Sequence, residues 1–104
     1  SWRAQKIELA LREVDLMILF GSHARGEATI TSDIDLLIVP KEKINVQRQK
    51  DKIKDIDKRI EPLIMNVETF KAHVKNEALL IQNIKKDGIL LFKSGDISNE
   101  LVPI

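Results

Sequence analysis

The chain is predicted to be an α/β domain, a small β-sheet with helices packed on it. Short apolar, largely β-branched runs alternate with segments whose apolar residues recur at helical spacing. Most of these runs begin or end at a glycine, a proline or an Asp-Gly pair, the residues that interrupt regular structure. The length of 104 residues suits one hydrophobic core and is too short for two, so residues 1–104 are expected to form a single domain, with 94–104 as a polar, loosely held tail.

Taken in order, residues 3–14 place Ile7, Leu9, Ala10, Leu11 and Val14 near one helical face. Asp15 leads into Leu16–Phe20, a buried-strand run stopped by Gly21. "SHARG" then reads as a short helical turn closing at Gly26, where a residue without Cβ accepts positive φ. "EATITS" is a polar turn, and "DIDLLIV" (33–39) is a strand ended by Pro40. Residues 41–58 are highly charged, with Ile44, Val46, Ile53 and Ile56 too sparse for a wide buried face. They predict a loop followed by a solvent-facing helix. "RIEPLIM" (59–65) resumes strand character, and Pro62 assigns it to a sheet edge or a bulge. Asn66 is a good cap for a helix from Val67, bending near Lys75 and Asn76 and continuing to Lys86. Asp87-Gly88 stops it, and Ile89–Phe92 is the last strand.

Hydrophobic residues make up 43% and charged residues 32%, the mix of an ordinary globular protein rather than a disordered one. No apolar run is long enough for a membrane span, and the charged opening residues do not read as a signal peptide. The absence of cysteine excludes disulfides and thiolate metal sites and fits a cytoplasmic location. With 17 basic and 16 acidic residues the net charge is +1, which gives no broad field for nucleic acid.

The chemistry concentrates in "FGSHARGEATITSDIDLLIV" (20–39). On a strand, residues i and i+2 share a face, so Asp33 and Asp35 project together with their side-chain bases about 7 Å apart. Two such carboxylates repel each other and resist burial unless a positive charge sits between them. Magnesium (Mg2+), with its preference for hard oxygen ligands, supplies that charge. Gly21 permits close backbone approach, and the Ser22 and His23 amides offer an anion site to phosphate oxygens, with the Ser22 hydroxyl as a further donor. A Gly-Ser turn alone is commonplace and an Asp-x-Asp alone is a frequent strand end. Their combination across two adjacent strand ends is far more specific.

These residues resemble the signature of the DNA polymerase β-type nucleotidyltransferase superfamily, and the short length resembles its minimal nucleotidyltransferases (MNT), often paired with HEPN-type toxins. The diagnostic match covers about 20 residues, and the rest agrees only in length and element order. The resemblance implies a small mixed sheet with helices packed on it, Gly21 and Ser22 on the nucleotide phosphates, and Asp33 and Asp35 on magnesium. It also implies a third acidic residue from a neighbouring strand, holding one metal and acting as general base. Glu61 is the candidate, at the start of the next β-like run, and Asp57 is the alternative. Relatives commonly use Asp here, and Pro62 can alter the register.

Arg25 is assigned to the nucleotide, with a structural bond to a local carboxylate or carbonyl as an equal reading. Ser32 is a candidate for either the nucleotide or a cap. His23 and His73 are expected to face solvent, and Trp2 to pack rather than stack on a base. The leading function is magnesium-dependent transfer of a nucleoside monophosphate, AMP from ATP, to a hydroxyl such as a tyrosine of a HEPN toxin partner. The competing readings are an antitoxin that masks its partner sterically and a nucleotide-sensing subunit that makes no transfer.

Overall fold

The computed structural model describes residues 2–11, 13–41 and 45–104. Its elements run α1 (Trp2–Leu11), β1 (Val14–Phe20), β2 (Ile34–Pro40), α2 (Val46–Ile56), β3 (Ile60–Ile64), α3 (Val67–Lys75), α4 (Leu79–Asp87), β4 (Ile89–Lys93) and a 3-10 turn at Asn99–Leu101. The four strands form one mixed sheet in the order β3-β2-β1-β4. β1 is antiparallel to both β2 and β4, whereas β2 and β3 run parallel, joined by the crossover through α2. Pro62 lies on an edge strand, where a missing amide costs no ladder bond.

Strand alternation divides the core into two layers. Leu36 and Ile38 of β2 join Ile7, Leu11, Met17 and Ile53 on the side of α1 and α2. Leu37 and Val39 point the other way and meet Phe70, Ile81 and Ile84 of α3 and α4. Ile53 is the one fully buried residue of α2 and Ile56 packs partly buried beside it, so that helix, capped by Asn45, is anchored by two side chains and otherwise faces solvent largely as expected.

Several expectations need correction. The first helix ends at Leu11, not Val14, and Val14 is a core residue of β1. Leu9, assigned to the buried face, is 77% exposed. The expected bend near Lys75 and Asn76 is a complete break: Asn66 caps α3 through its bond from the Thr69 amide, and Glu77 at φ 49° turns the chain before α4 begins. The side chains of Trp2 and Ile44 lie outside the described residues.

The tail is not loose. β1 carries a bulge between Val14 and Leu16, and the extra residue, Asp15, is buried. Its carboxylate accepts from the Ser94 hydroxyl at 2.6 Å and pairs with Lys41 at 3.1 Å, and Lys41 also pairs with Asp96. Ile97 is buried, and Leu101 and Val102 pack on the α3/α4 side of the core. A composition that reads as polar therefore conceals three apolar anchors and a hydrogen bond to a buried carboxylate.

Candidate functional site

The loop from Gly21 to Asp33 joins β1 to β2, and the register brings its two ends together because Phe20 pairs with Asp35. Gly21 adopts φ +75° with its Cα against the Asp35 side chain; a methyl group there would overlap Asp35 Oδ2 and stand 3.1 Å from its Cγ. Glycine is required at this position twice, for its backbone angle and for the space the carboxylate occupies. After it the chain makes one turn, with Arg25 N–H donating to the Gly21 carbonyl at 3.2 Å and Glu27 N–H to the Ser22 carbonyl at 3.0 Å. This is a turn and not a helix, so any attraction for an anion comes from local amides rather than from a macrodipole. Among the described residues the Ser22 and His23 amides donate to no backbone carbonyl.

The same loop is fastened from its far side. Ser32 Oγ accepts from the Thr29 amide at 2.8 Å, and the Ser32 carbonyl lies 3.3 Å from His23 Nε2. His23 is thus half-buried and bridges the Gly-Ser turn to the segment entering β2, contrary to the solvent-facing expectation. Arg25 takes the local option foreseen for it, an exposed bond from Nε to Glu27 Oε2 at 3.1 Å. His73 is partly exposed, with Nδ1 2.8 Å from the Thr69 carbonyl one helical turn earlier.

Gly21, Ser22, Arg25, Ser32, Asp33 and Asp35 all line one open cleft of about 700 Å³. Phe20 and Thr31 line it as well, and α4 contributes Asn83 and Asp87. Sequence reasoning missed the α4 pair. Their only trace in the sequence was an i, i+4 spacing of polar residues, which any solvent-facing helix shows.

Asp35 and Glu61 are directly paired in register on the parallel strands β2 and β3. Glu61 is two residues from Leu63, which packs on the α3/α4 layer, so both carboxylates point to that face. The Asp35 carboxyl is accordingly raised above its ordinary value, by partial burial first and then by the charges of Asp33 and Glu61, with His23 and Arg25 acting in opposition. Asp57 is placed otherwise: it ends α2 and binds the Arg59 guanidinium at 2.8 Å. Glu61 is exposed, is not part of the cleft lining, and pairs with Lys54 at 3.1 Å.

The donor chemistry fits a hard divalent cation, since the Asp33 and Asp35 carboxylates line the same cleft and their repulsion is relieved by positive charge between them. A full set is not assembled, for among the described residues no three metal-ligating side chains gather around one point.

A cleft with amide donors and a glycine at one place and paired carboxylates beside it has the make-up of a site for a phosphorylated ligand. The sequence profile of the family described as Polymerase beta, Nucleotidyltransferase matches residues 5–96, and the chain belongs to that family. A comparison with curated protein sequences found no match. Among solved structures, the fold is similar to that of a toxin–antitoxin crystallised with AMP-PNP, at 19% identity and TM-score 0.60 over 88% of this chain and 74% of that chain. It is also similar to a chain of the complex between tri-AMPylated HEPN toxin of Shewanella oneidensis and MNT antitoxin, at 16% identity and TM-score 0.59 over 97% and 78%. A third likeness is to the MntA-HepT toxin–antitoxin, at 16% identity and TM-score 0.58 over 97% and 79%. At these identities the likeness is one of fold. No helix among the described residues is long and apolar enough to cross a membrane.

Proposed function

We propose that the protein is a magnesium-dependent nucleotidyltransferase of the cytoplasm that moves AMP from ATP to a hydroxyl acceptor, a tyrosine of a HEPN-type toxin. The observation that carries this reading is the shared cleft, in which Gly21 lies against the Asp35 carboxylate and Asp33 lines the same space. The partner class is supported by the structural relatives, one crystallised with AMP-PNP and another containing an AMPylated HEPN toxin with its MNT antitoxin.

In this reading the Ser22 and His23 amides and the Ser22 hydroxyl hold the phosphates, while Asp33 and Asp35, with Glu61, are the metal ligands. Magnesium, when bound, neutralises these carboxylates and polarises the phosphoryl oxygens. The acceptor oxygen forms a bond to the α-phosphorus, the bond from that phosphorus to the β-bridging oxygen breaks, and pyrophosphate leaves. Glu61 takes the hydroxyl proton. Gly21 keeps Asp35 pressed to the turn, so phosphate donors and carboxylates keep a constant separation.

The position of Glu61 favours one competing reading. Held by Lys54 outside the cleft lining, it leaves the acidic set incomplete, as expected of an antitoxin that only masks its partner. Glu61→Gln separates the two, because it keeps size and hydrogen bonding but removes the charge. Transfer of label from α-labelled ATP to a co-expressed partner should collapse while partner binding survives. Neutralisation of the toxin that persists without transfer identifies masking, and no label transfer by the unmodified protein refutes the enzyme.

A further inference from the structure

We propose that Asn83 and Asp87 of α4 form the nucleoside subsite of the cleft, Asp87 accepting from the ribose hydroxyls and Asn83 both accepting from and donating to the edge of the base. This inference rests on the nucleotidyltransfer reading and says which part of the nucleotide meets which wall.

Asn83 and Asp87 are the α4 residues that line the cleft, which they share with the Gly21-Ser22 turn and the two aspartates. Separated by one helical turn, they lie on the same side of the helix with side-chain bases about 5–6 Å apart. The local structure does not use either side chain. Gln82 and Lys85, their neighbours on α4, bond to the Glu77 carbonyl and carboxylate. Among the described residues neither Asn83 nor Asp87 has a hydrogen-bond or ion-pair partner. Asp87 is moreover the last residue of α4, where the helix macrodipole favours a cation and disfavours a carboxylate. A residue that breaks a local rule, without a compensating contact, on the wall of a cleft is more readily explained by a ligand than by the fold.

The chemistry identifies the part of the ligand. The phosphates already have amide and hydroxyl donors at Ser22, and a second carboxylate wall would repel them. The portion of a nucleotide left to α4 is its neutral sugar and base. An ionised carboxylate is acceptor-only and suits a pair of vicinal hydroxyls, while a carboxamide carries donor and acceptor together and matches a base edge such as N6 and N7 of adenine.

Calorimetric titration with magnesium present tests this on the intact chain, using ATP, dATP, ITP and inorganic tripolyphosphate. Asp87→Ala and Asp87→Asn should weaken ATP about tenfold, the loss of a single charged hydrogen bond, and should bring ATP and dATP to equal affinity. Asn83→Ala should narrow the gap between ATP and ITP and leave that between ATP and dATP intact. All variants should bind tripolyphosphate as the unmodified chain does. Both side chains are solvent-accessible and unbonded, so melting temperatures should hold, and Asp87→Asn should match or exceed the parent. Unchanged ATP affinity and unchanged ATP/dATP discrimination in the Asp87 variants would overturn this inference alone. Equal losses for ATP and tripolyphosphate would also overturn it, by placing α4 at the phosphates. If the unmodified chain bound neither ATP nor tripolyphosphate, both this inference and the nucleotidyltransfer reading would fall.

Discussion

Replacing Gly21 with alanine tests the coupling between the Gly21-Ser22 turn and the Asp35 carboxylate pressed against it. Two costs are separable. The backbone at φ +75° disfavours any residue with a Cβ by about 1–2 kcal/mol. In a domain of this size that lowers the melting temperature by about 5–15 °C. The second cost falls on the site, because the new methyl overlaps Asp35 Oδ2 and forces the carboxylate to move. A displacement of about 1 Å in a positioned catalytic group lowers the rate about 100-fold. Gly26 supplies the control. It adopts φ +73°, nearly the same angle, but a Cβ there meets nothing within 4 Å. Gly21→Ala and Gly26→Ala should therefore lose similar stability by thermal denaturation, while only Gly21→Ala loses nucleotide transfer and magnesium-dependent ATP binding. Equal activity in the two variants, whether both retained or both lost, would refute the coupling between Gly21 and Asp35.

Three further outcomes follow from the electrostatics and the tail. The raised Asp35 carboxyl binds its proton more tightly in the folded than in the unfolded chain, so stability falls as pH rises through the window between the ordinary value of 3.8 and the raised one. Asp35→Asn should melt higher than the parent at neutral pH and converge with it in acid; a pH-independent difference would discount the repulsion. ATP with magnesium should raise the melting temperature, by the equivalent of about 2.7 kcal/mol at a hundredfold excess over Kd, and ATP in EDTA much less. Equal shifts would place the nucleotide away from the aspartates. Ser94→Ala removes the hydroxyl that bonds buried Asp15 and should cost about 1.5–3 kcal/mol in urea denaturation, against near zero if the tail were loose.

The acidic pair illustrates which features are local. Asp33 and Asp35 are two residues apart and line one cleft, although β2 begins only at Ile34, and the Gly-Ser turn follows from one residue that lacks a Cβ. Both depend only on neighbours in the chain, so both were legible in order of sequence. Pro62 announced an edge strand for the same reason, since a missing amide is a property of the residue itself. The Asn66 cap likewise needs nothing beyond the amide three residues on.

Long-range pairing decided the remainder. Glu61 rather than Asp57 stands beside Asp35 because β3 runs parallel to β2 in one particular register, and register is set by how two apolar faces pack, not by either strand alone. Asp15 is tolerated in a strand because Ser94 and Lys41 arrive from distant positions to satisfy it. The same contacts order a tail whose composition predicts freedom. Asn83 and Asp87 look like any polar face of a helix until α4 is laid against the sheet and one side of it becomes the wall of the cleft. Sequence singled out the Gly21-Ser22 turn and the Asp33 and Asp35 carboxylates, which line one cleft. Only the packing of separate elements determined what faces them, because that depends on burial summed over the whole core rather than on local conformational preference.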